Sequence, residues 1–200
     1  MNWLQQGDLD RIYGTPAAAS LRKVADRLTP DYATFIRASR FCVLSTVGPE
    51  GTDGSPRGDD GPVVTALDDR HLALPDWHGN NRIDSLQNIL RDEHCSLMFM
   101  VRGATNVVRV NGTARLTDDA ELRAQFARQG KEPRCVIVMR IGEIYFQCAR
   151  AVMRAGLWTG QDDSDGLPTP GQILANMTSG EVGGDSYDSE WPLRAARTMW

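Results

Sequence analysis

The chain has 200 residues, of which 41% are hydrophobic and 24% charged, a composition typical of a globular protein rather than a disordered one. This length predicts a single domain, and no apolar run reaches the roughly 18 residues that a membrane span needs. The net charge of −4 argues against a nucleic-acid-binding domain. The first residues lack the basic stretch and apolar core of a secretory signal, so we expect a cytoplasmic protein.

Acidic residues are concentrated near the end of the chain. Residues 159–190 contain seven aspartates and glutamates and no lysine or arginine, and removing these seven from a net charge of −4 leaves +3 for the rest. A mildly cationic body can hold a small anion. We therefore divide the single domain into N-terminal helices (1–39), a core (40–158) and an acidic covering segment (159–200).

The cysteines give no sign of a metal site. Cys42, Cys95 and Cys135 lie in apolar runs, and none of the four cysteines, Cys148 included, belongs to a Cys-x-x-Cys motif. The three histidines form no ligand pattern with them. We expect buried, reduced thiols.

The first part of the chain is predicted to be helical. Apolar residues recur at helical spacing over 17–28, which predicts an amphipathic helix there. Thr29 and Pro30 are typical N-cap and first-turn residues, so a second helix is expected to run to about Arg37. From residue 41 onward the pattern changes to strands.

The core is predicted to be mainly β, because its apolar residues either alternate with polar ones or form short continuous runs. A turn-rich stretch is expected at 48–61, and the apolar run 95–101 predicts a strand buried on both faces. Helices are predicted over Asn81–Leu90, with Ile83, Leu86 and Leu90 facing inward, and over Thr117–Arg128. Few helices between many strands favour an antiparallel barrel with peripheral helices. The predicted strands are 41–48, 62–67, 71–76, 95–101, 106–116 and 134–150.

A candidate anion site lies where the strand 71–76 leads into the next helix. Asn81 is a good N-cap residue, and Arg82 would stand in the first turn, where a positive side chain is unfavourable unless an anion binds. The sequence thus predicts a phosphate at the Asn81–Arg82 helix start. The alternative is that Arg82 points to solvent or pairs with Asp84 or Asp76.

Two further polar stretches could line a site. Residues 54–61 combine glycines and a proline with Ser55, Arg57 and Asp59, and the polar face of strand 106–116 carries Arg109 and its neighbours. No motif for nucleotide binding, a nucleophile or a catalytic metal is present, so the sequence nominates no catalytic residue. Any chemistry is expected to come from a cofactor.

The succession of SPRGD, LPD, GNNRIDSLQNIL and RVNG over residues 41–158 resembles the pyridoxamine 5′-phosphate oxidase-related FMN-binding proteins, and a bacterial branch of them in particular. The resemblance implies a split β-barrel of antiparallel Greek-key type and a homodimer with FMN between the subunits. It also implies that cofactor-binding residues are Ser55, Arg57, Gly58, Leu74, Asp76, Asn80, Asn81, Arg82, Ser85, Arg109 and Trp158, the last reaching the partner's flavin.

The oxidase itself holds its substrate with a C-terminal Arg-x-His-type stretch that this chain lacks, so we do not assign pyridoxamine phosphate oxidation. The leading hypothesis is an FMN-dependent oxidoreductase that acts on a small organic substrate, with NAD(P)H as a candidate donor. Two alternatives stay open. One is a deazaflavin-dependent reductase of the same fold, and the other is a non-enzymatic FMN-binding redox sensor or carrier.

Overall fold

A computed structural model describes residues 1–200 and contains one antiparallel sheet of seven strands. The strands lie in the order β2-β1-β5-β6-β7-β4-β3. The predicted mainly β, antiparallel architecture is confirmed. The strands are β1 (Phe41–Gly48), β2 (Gly51–Gly58), β3 (Thr65–Ala66), β4 (His71–Asp76), β5 (His94–Met100), β6 (Val107–Thr117) and β7 (Cys135–Gln147).

Eight helices flank the sheet, and none is long and apolar enough to span a bilayer. The fourth helix packs against β1 and β6, and the last two pack against each other. The helices are α1 (Gln6–Tyr13), α2 (Ala18–Arg22), α3 (Pro30–Ala38), α4 (Asp84–Arg91), α5 (Ala120–Ala124), α6 (Arg150–Ala155), α7 (Pro170–Met177) and α8 (Asp185–Thr198).

The sheet curves around a main hydrophobic core. Buried side chains from β1, β4, β5, β6 and β7 meet in this cluster, which also receives Ile36 of α3 and Ile89 of α4. A smaller cluster contains Ala73, Phe126 and Val136, so β4 is buried on both faces. The curvature brings β2, at one edge of the sheet, close to β4 near the other edge, where Arg57 forms an ion pair with Asp76. This partly closed sheet agrees with the expected split barrel.

Two local predictions are confirmed in detail. The Thr29 hydroxyl accepts a hydrogen bond from the Tyr32 backbone N–H at 3.4 Å, and Pro30 is the first residue of α3. In β6, Val108, Val110 and Ala114 are buried, whereas the alternating polar residues are half-buried or exposed. Capping chemistry and strand periodicity were therefore reliable signals in both places.

The helix predicted over 17–28 is wrong beyond Arg22. The backbone of Ala25 pairs with Ile144 of β7 through two hydrogen bonds of 3.0 and 2.8 Å, which requires an extended chain. Leu21 is therefore exposed rather than on a buried helical face. The helix α1 was not predicted.

Strand predictions fail where glycine or distant pairing decides the outcome. The stretch 48–61, expected to be turns, contains β2, which pairs with β1 along its whole length after a tight turn in which Gly51 has φ +122°. The strand predicted at 62–67 is reduced to Thr65–Ala66. The strand predicted over 95–101 is β5, and it alternates between buried and half-buried residues, so it is not buried on both faces.

The helix predicted over Thr117–Arg128 is confined to the five residues of α5. Residue 117 still belongs to β6, which pairs with β7 up to Val136, so the chain is extended there. Asp119 provides the cap by accepting from the Leu122 backbone N–H at 2.8 Å. The predicted helix start, Thr117, lies three residues before Ala120, the first residue of α5.

All four cysteines are free thiols. Burial raises the pKa of Cys42 and of Cys95 to about 12, and it raises the pKa of the half-buried Cys135 to about 11. Cys148 is exposed. No group of three or more His, Cys, Asp or Glu side chains is placed to hold a metal ion.

Gly112 lies at a register shift between β6 and β7, and a Cβ there would come within 2.0 Å of the Arg140 carbonyl oxygen. We expect Gly112→Ala to lower the free energy of unfolding by about 1–3 kcal/mol, because the backbone of β7 would have to move. Each kcal/mol corresponds to a fall in Tm of about 2–4 °C at this chain length. Gly54→Ala is the control, since its Cβ would meet no atom within 4 Å. Equal melting of the two variants would contradict the prediction.

Candidate functional site

A cavity of about 870 Å³ lies between β2, β4, the loop that follows β4 and the end of α8. Its size falls within the range of small-molecule and cofactor sites. Eight of the eleven residues that the sequence predicted for a cofactor line this cavity, although they come from separate parts of the chain. These are Ser55, Arg57, Gly58, Leu74, Asp76, Asn80, Asn81 and Arg82.

The Arg57–Asp76 pair forms the polar centre of the cavity wall. The two side chains retain only 18% and 14% of their exposure, and the Arg57 Nη1 donates to the Asp76 carboxylate. The Arg57 Nε is buried and has no hydrogen-bond partner in the protein. A buried donor without a partner is uncommon, because its desolvation is not compensated. The site therefore fits a ligand that brings an acceptor oxygen or nitrogen to this atom.

The helix after β4 begins at Asp84, so the predicted helix start at Asn81–Arg82 is wrong by three residues. The Asn80 side chain accepts from the Arg82 backbone N–H at 3.0 Å, and Asn81 has φ +61°. Both features belong to a turn and prevent helical geometry at Asn81. The Arg82 Nε donates to the Asp84 carboxylate at 2.6 Å, which is one of the alternatives that the sequence left open.

The buried face of α4 also differs from the prediction. Ile83 and Leu90 are exposed, whereas Ser85, Asn88 and Ile89 are buried. The two buried polar side chains, Ser85 and Asn88, both form hydrogen bonds. The Asn88 amide donates to the Thr46 hydroxyl at 3.2 Å, in space that the absence of a side chain at Gly48 leaves free, and Ser85 donates to Asp53.

Arg134, which the sequence interpretation missed, is a third arginine in the cavity wall. Its Nη1 donates to the Asn81 side-chain oxygen at 2.6 Å, and its Nη2 lies 2.9 Å from His78 Nδ1. Arg57 and Arg82 are each paired with an aspartate, whereas both partners of Arg134 lack a carboxylate. The position of Arg134 depends on the long-range pairing of β4 with β7, since its N–H donates to the Asp76 carbonyl at 3.1 Å. No local sequence signal marks it.

Asp59 is a buried carboxyl group in the cavity wall, with a side chain that is only 3% exposed. It accepts hydrogen bonds from the Gly61 backbone N–H at 3.2 Å and from Trp77 Nε1 at 3.3 Å. Burial raises its pKa, and the neighbouring Asp60 raises it further. Such a group holds a proton to a higher pH than an exposed carboxyl does, which is useful for proton exchange in a closed site.

The acidic covering segment reaches the cavity through its last residues. Met199 and Trp200 line one end of it, and the Trp200 ring meets the Trp77 ring edge to face with 5.1 Å between centroids. Trp191 and Leu193, further up α8, are exposed.

Three of the predicted cofactor residues lie outside the cavity. The Ser85 hydroxyl is bound to Asp53, and the Arg109 guanidinium stacks over the Tyr145 ring, 5.5 Å from its centroid. The indole N–H of Trp158 donates to the Ala104 carbonyl at 2.8 Å. Their roles toward a cofactor stay predictions, and that of Trp158 concerns a partner subunit.

The curved sheet, with a cavity of cofactor size lined by polar and apolar residues, is typical of a split-barrel protein. A family model described as pyridoxamine 5′-phosphate oxidase matches residues 28–148. The chain belongs to this family, and the family resemblance found in the sequence is confirmed. No curated protein matches the chain.

Several solved structures are similar to the chain at low sequence identity. A HupZ variant from Group A Streptococcus is 15% identical over 60% of this chain and 98% of its own, with a TM-score of 0.50. An FMN-binding protein from Syntrophomonas wolfei is 13% identical over 58% of this chain and 86% of its own, with a TM-score of 0.44. A protein related to general stress protein 26, from Clostridium acetobutylicum, is 12% identical over 58% of this chain and 85% of its own, with a TM-score of 0.43.

The ion pair between Arg57 and Asp76 provides a test of the cavity wall. We expect Asp76→Asn to lower the free energy of unfolding by about 3 kcal/mol, because it leaves the Arg57 charge buried without a counter-charge. Adding Arg57→Met removes that charge, so the double variant should lose less than the sum of the two single variants. Urea denaturation of all four proteins measures the coupling, expected at about 0.5–3 kcal/mol. Additive losses would show that the pair does not join the two strands.

Proposed function

We propose that the protein binds FMN in the cavity described above and is an FMN-dependent oxidoreductase that acts on a small organic substrate. The observation that carries the proposal is the buried, unpartnered Arg57 Nε in a cavity of cofactor size. Membership in the pyridoxamine 5′-phosphate oxidase family supports the same cofactor. When bound, FMN supplies hydride and electron transfer, chemistry that amino-acid side chains lack.

The phosphate of FMN fits the end of the cavity where Asn81, Arg82 and Arg134 meet. A guanidinium group binds phosphate oxygens through parallel N–H donors. Arg134 is not paired with a carboxylate, whereas Arg82 already forms an ion pair with Asp84. We therefore expect Arg134 to bind the phosphate more strongly than Arg82 does. The proposed phosphate site therefore contains Asn81 and Arg82, as the sequence predicted, together with Arg134.

The flavin ring fits the part of the cavity nearer the barrel. Leu74 and Val63 are buried and provide an apolar wall. Arg57 Nε offers a donor to the ring or to its side chain, while Asp76 fixes the guanidinium in place. The protein thus binds and orients the cofactor, and the Asp59 carboxyl is available to hold a proton beside it.

The proposed assembly is a homodimer with each flavin close to both subunits. The Trp158 ring lies outside the cavity of its own chain and keeps 38% of its exposure. This placement supports the prediction that it packs near the partner's flavin. NAD(P)H is the proposed donor, and the cytoplasm is the proposed location.

The proposal predicts that the purified protein, mixed with FMN and passed through a gel-filtration column, keeps a two-band flavin spectrum. Anaerobic addition of NADPH should then bleach the bands within seconds to minutes, with dithionite as the control for full reduction. A retained flavin that only dithionite bleaches would favour the redox sensor or carrier. A colourless protein would contradict FMN binding, and retention of a single-band deazaflavin would support the other reductase.

Arg134→Gln should weaken FMN binding about 10- to 150-fold, which corresponds to the 1.5–3 kcal/mol of a hydrogen bond to a charged group. Arg82→Gln should have a smaller effect, because Arg82 is exposed and already paired with Asp84. Quenching of flavin fluorescence measures both affinities. Arg91→Gln is the control, since Arg91 pairs with Glu50 and does not line the cavity. Unchanged affinity in both Arg134→Gln and Arg82→Gln would contradict the phosphate locus.

A further inference from the structure

The end of α8 contributes two residues to the wall of the candidate cavity. Met199 and Trp200 line the cavity, although they follow a helix that has no buried side chain. Helices in proteins are held in place mainly by the packing of an apolar face. Pro192, inside α8, also lacks the N–H that would bond to the carbonyl four residues earlier, which weakens the helix at that point. The position of Trp200 therefore depends on the contacts made at the end of α8.

Two contacts hold this end of α8 against the barrel. The Trp200 ring meets the Trp77 ring edge to face, with 5.1 Å between centroids. The Lys131 ammonium donates to the backbone oxygens of Arg197 at 3.2 Å and of Trp200 at 2.9 Å. These hydrogen bonds are exposed, so water competes with them. The end of α8 is thus held by contacts that can open and close again.

The partners on the barrel side of these contacts are fixed. The Trp77 indole N–H donates to the buried Asp59 carboxyl at 3.3 Å, and the Trp77 ring packs against the smaller hydrophobic cluster. The Lys131 backbone exchanges two hydrogen bonds of 2.8 Å with the Arg128 backbone. In both contacts the fixed half therefore lies on the barrel, and the weakly attached half lies at the end of α8.

We propose that residues 193–200 form a lid on the candidate cavity, and that Trp200 separates from Trp77 whenever a ligand enters or leaves. The inference rests on the proposed function in taking this cavity as the ligand site. Lids of this kind exclude water from a site while it is occupied and open again for release. Here Trp200 is the part of the lid that covers the cavity, and Trp77 and Lys131 are the points that hold it closed.

The test measures how easily a small reagent reaches the cavity of the protein without FMN. Cys135 lines the cavity and is half-buried, so its alkylation by iodoacetamide reports access. We expect Trp200→Ala to speed this alkylation about 2- to 10-fold, the factor that corresponds to the loss of one edge-to-face contact. Lys131→Met should change the rate in the same direction, because it removes both hydrogen bonds to the end of α8. Mass spectrometry of the peptides follows each cysteine separately.

Each variant has a matched control. Trp191→Ala removes an exposed indole from the same helix, before Pro192 and outside the cavity. Lys23→Met removes the other lysine of the chain, which lies over the Phe146 ring. Neither control should change the alkylation of Cys135.

The other cysteines show whether a variant is folded. Cys42 and Cys95 are buried and should stay unreactive in every variant, whereas the exposed Cys148 should react at one rate in all of them. Unchanged reactivity of Cys135 in both Trp200→Ala and Lys131→Met would overturn the proposal. An equal increase in Trp191→Ala would overturn it as well.

Stopped-flow fluorescence with FMN separates a lid from a direct ligand contact. Trp200→Ala should raise the association and dissociation rate constants by similar factors, because a lid obstructs both directions. A rise in the dissociation rate constant alone would make Trp200 a contact of the bound ligand and would overturn the lid. If FMN does not bind at all, the proposed function fails, and the alkylation of Cys135 still decides whether the lid exists.

Discussion

The ion pair between Arg57 and Asp76 is the interaction on which the site depends. It joins β2 to β4, which lie near opposite edges of the sheet. Each charge is mostly buried, so each requires the other to remain inside. Asp76 accepts from Nη1 only, and the Nε of Arg57 stays buried without a hydrogen-bond partner. The same contact thus links two distant strands and leaves one donor of the cavity wall unsatisfied.

The remaining wall is assembled from segments that become neighbours only through strand pairing. The β4–β7 ladder sets Cys135 opposite Asp76, which brings the preceding Arg134 beside Asn81. The turn at Asn80 and Asn81 then presents side chains rather than helical N–H groups to the cavity. In the proposed phosphate site, the binding groups are therefore arginine side chains, whereas the sequence predicted the N–H groups of a helix start at Asn81.

Periodicity and local motifs predicted much of the fold, and the family resemblance predicted many of the residues that line the cavity. Alternation predicted β6 correctly, Thr29 and Pro30 predicted α3, and family resemblance identified eight lining residues. Two failures share a physical cause, since each was decided by a backbone pairing partner. The glycine-rich stretch forms β2 because the preceding strand, β1, supplies its hydrogen bonds. The chain at Ala25 is extended because the distant strand β7 supplies two hydrogen bonds. Arg134 could not be recognised without the sheet order.

The buried thiols have a consequence for the proposed flavoprotein. Peroxide attacks the thiolate form of cysteine, and protonated thiols react slowly. Burial keeps the pKa of Cys42 and Cys95 near 12, and that of Cys135 near 11, even though Cys135 borders the cavity itself. In the proposed flavoprotein, peroxide formed at the flavin would therefore react first with the exposed Cys148 and with surface methionines rather than with the interior thiols.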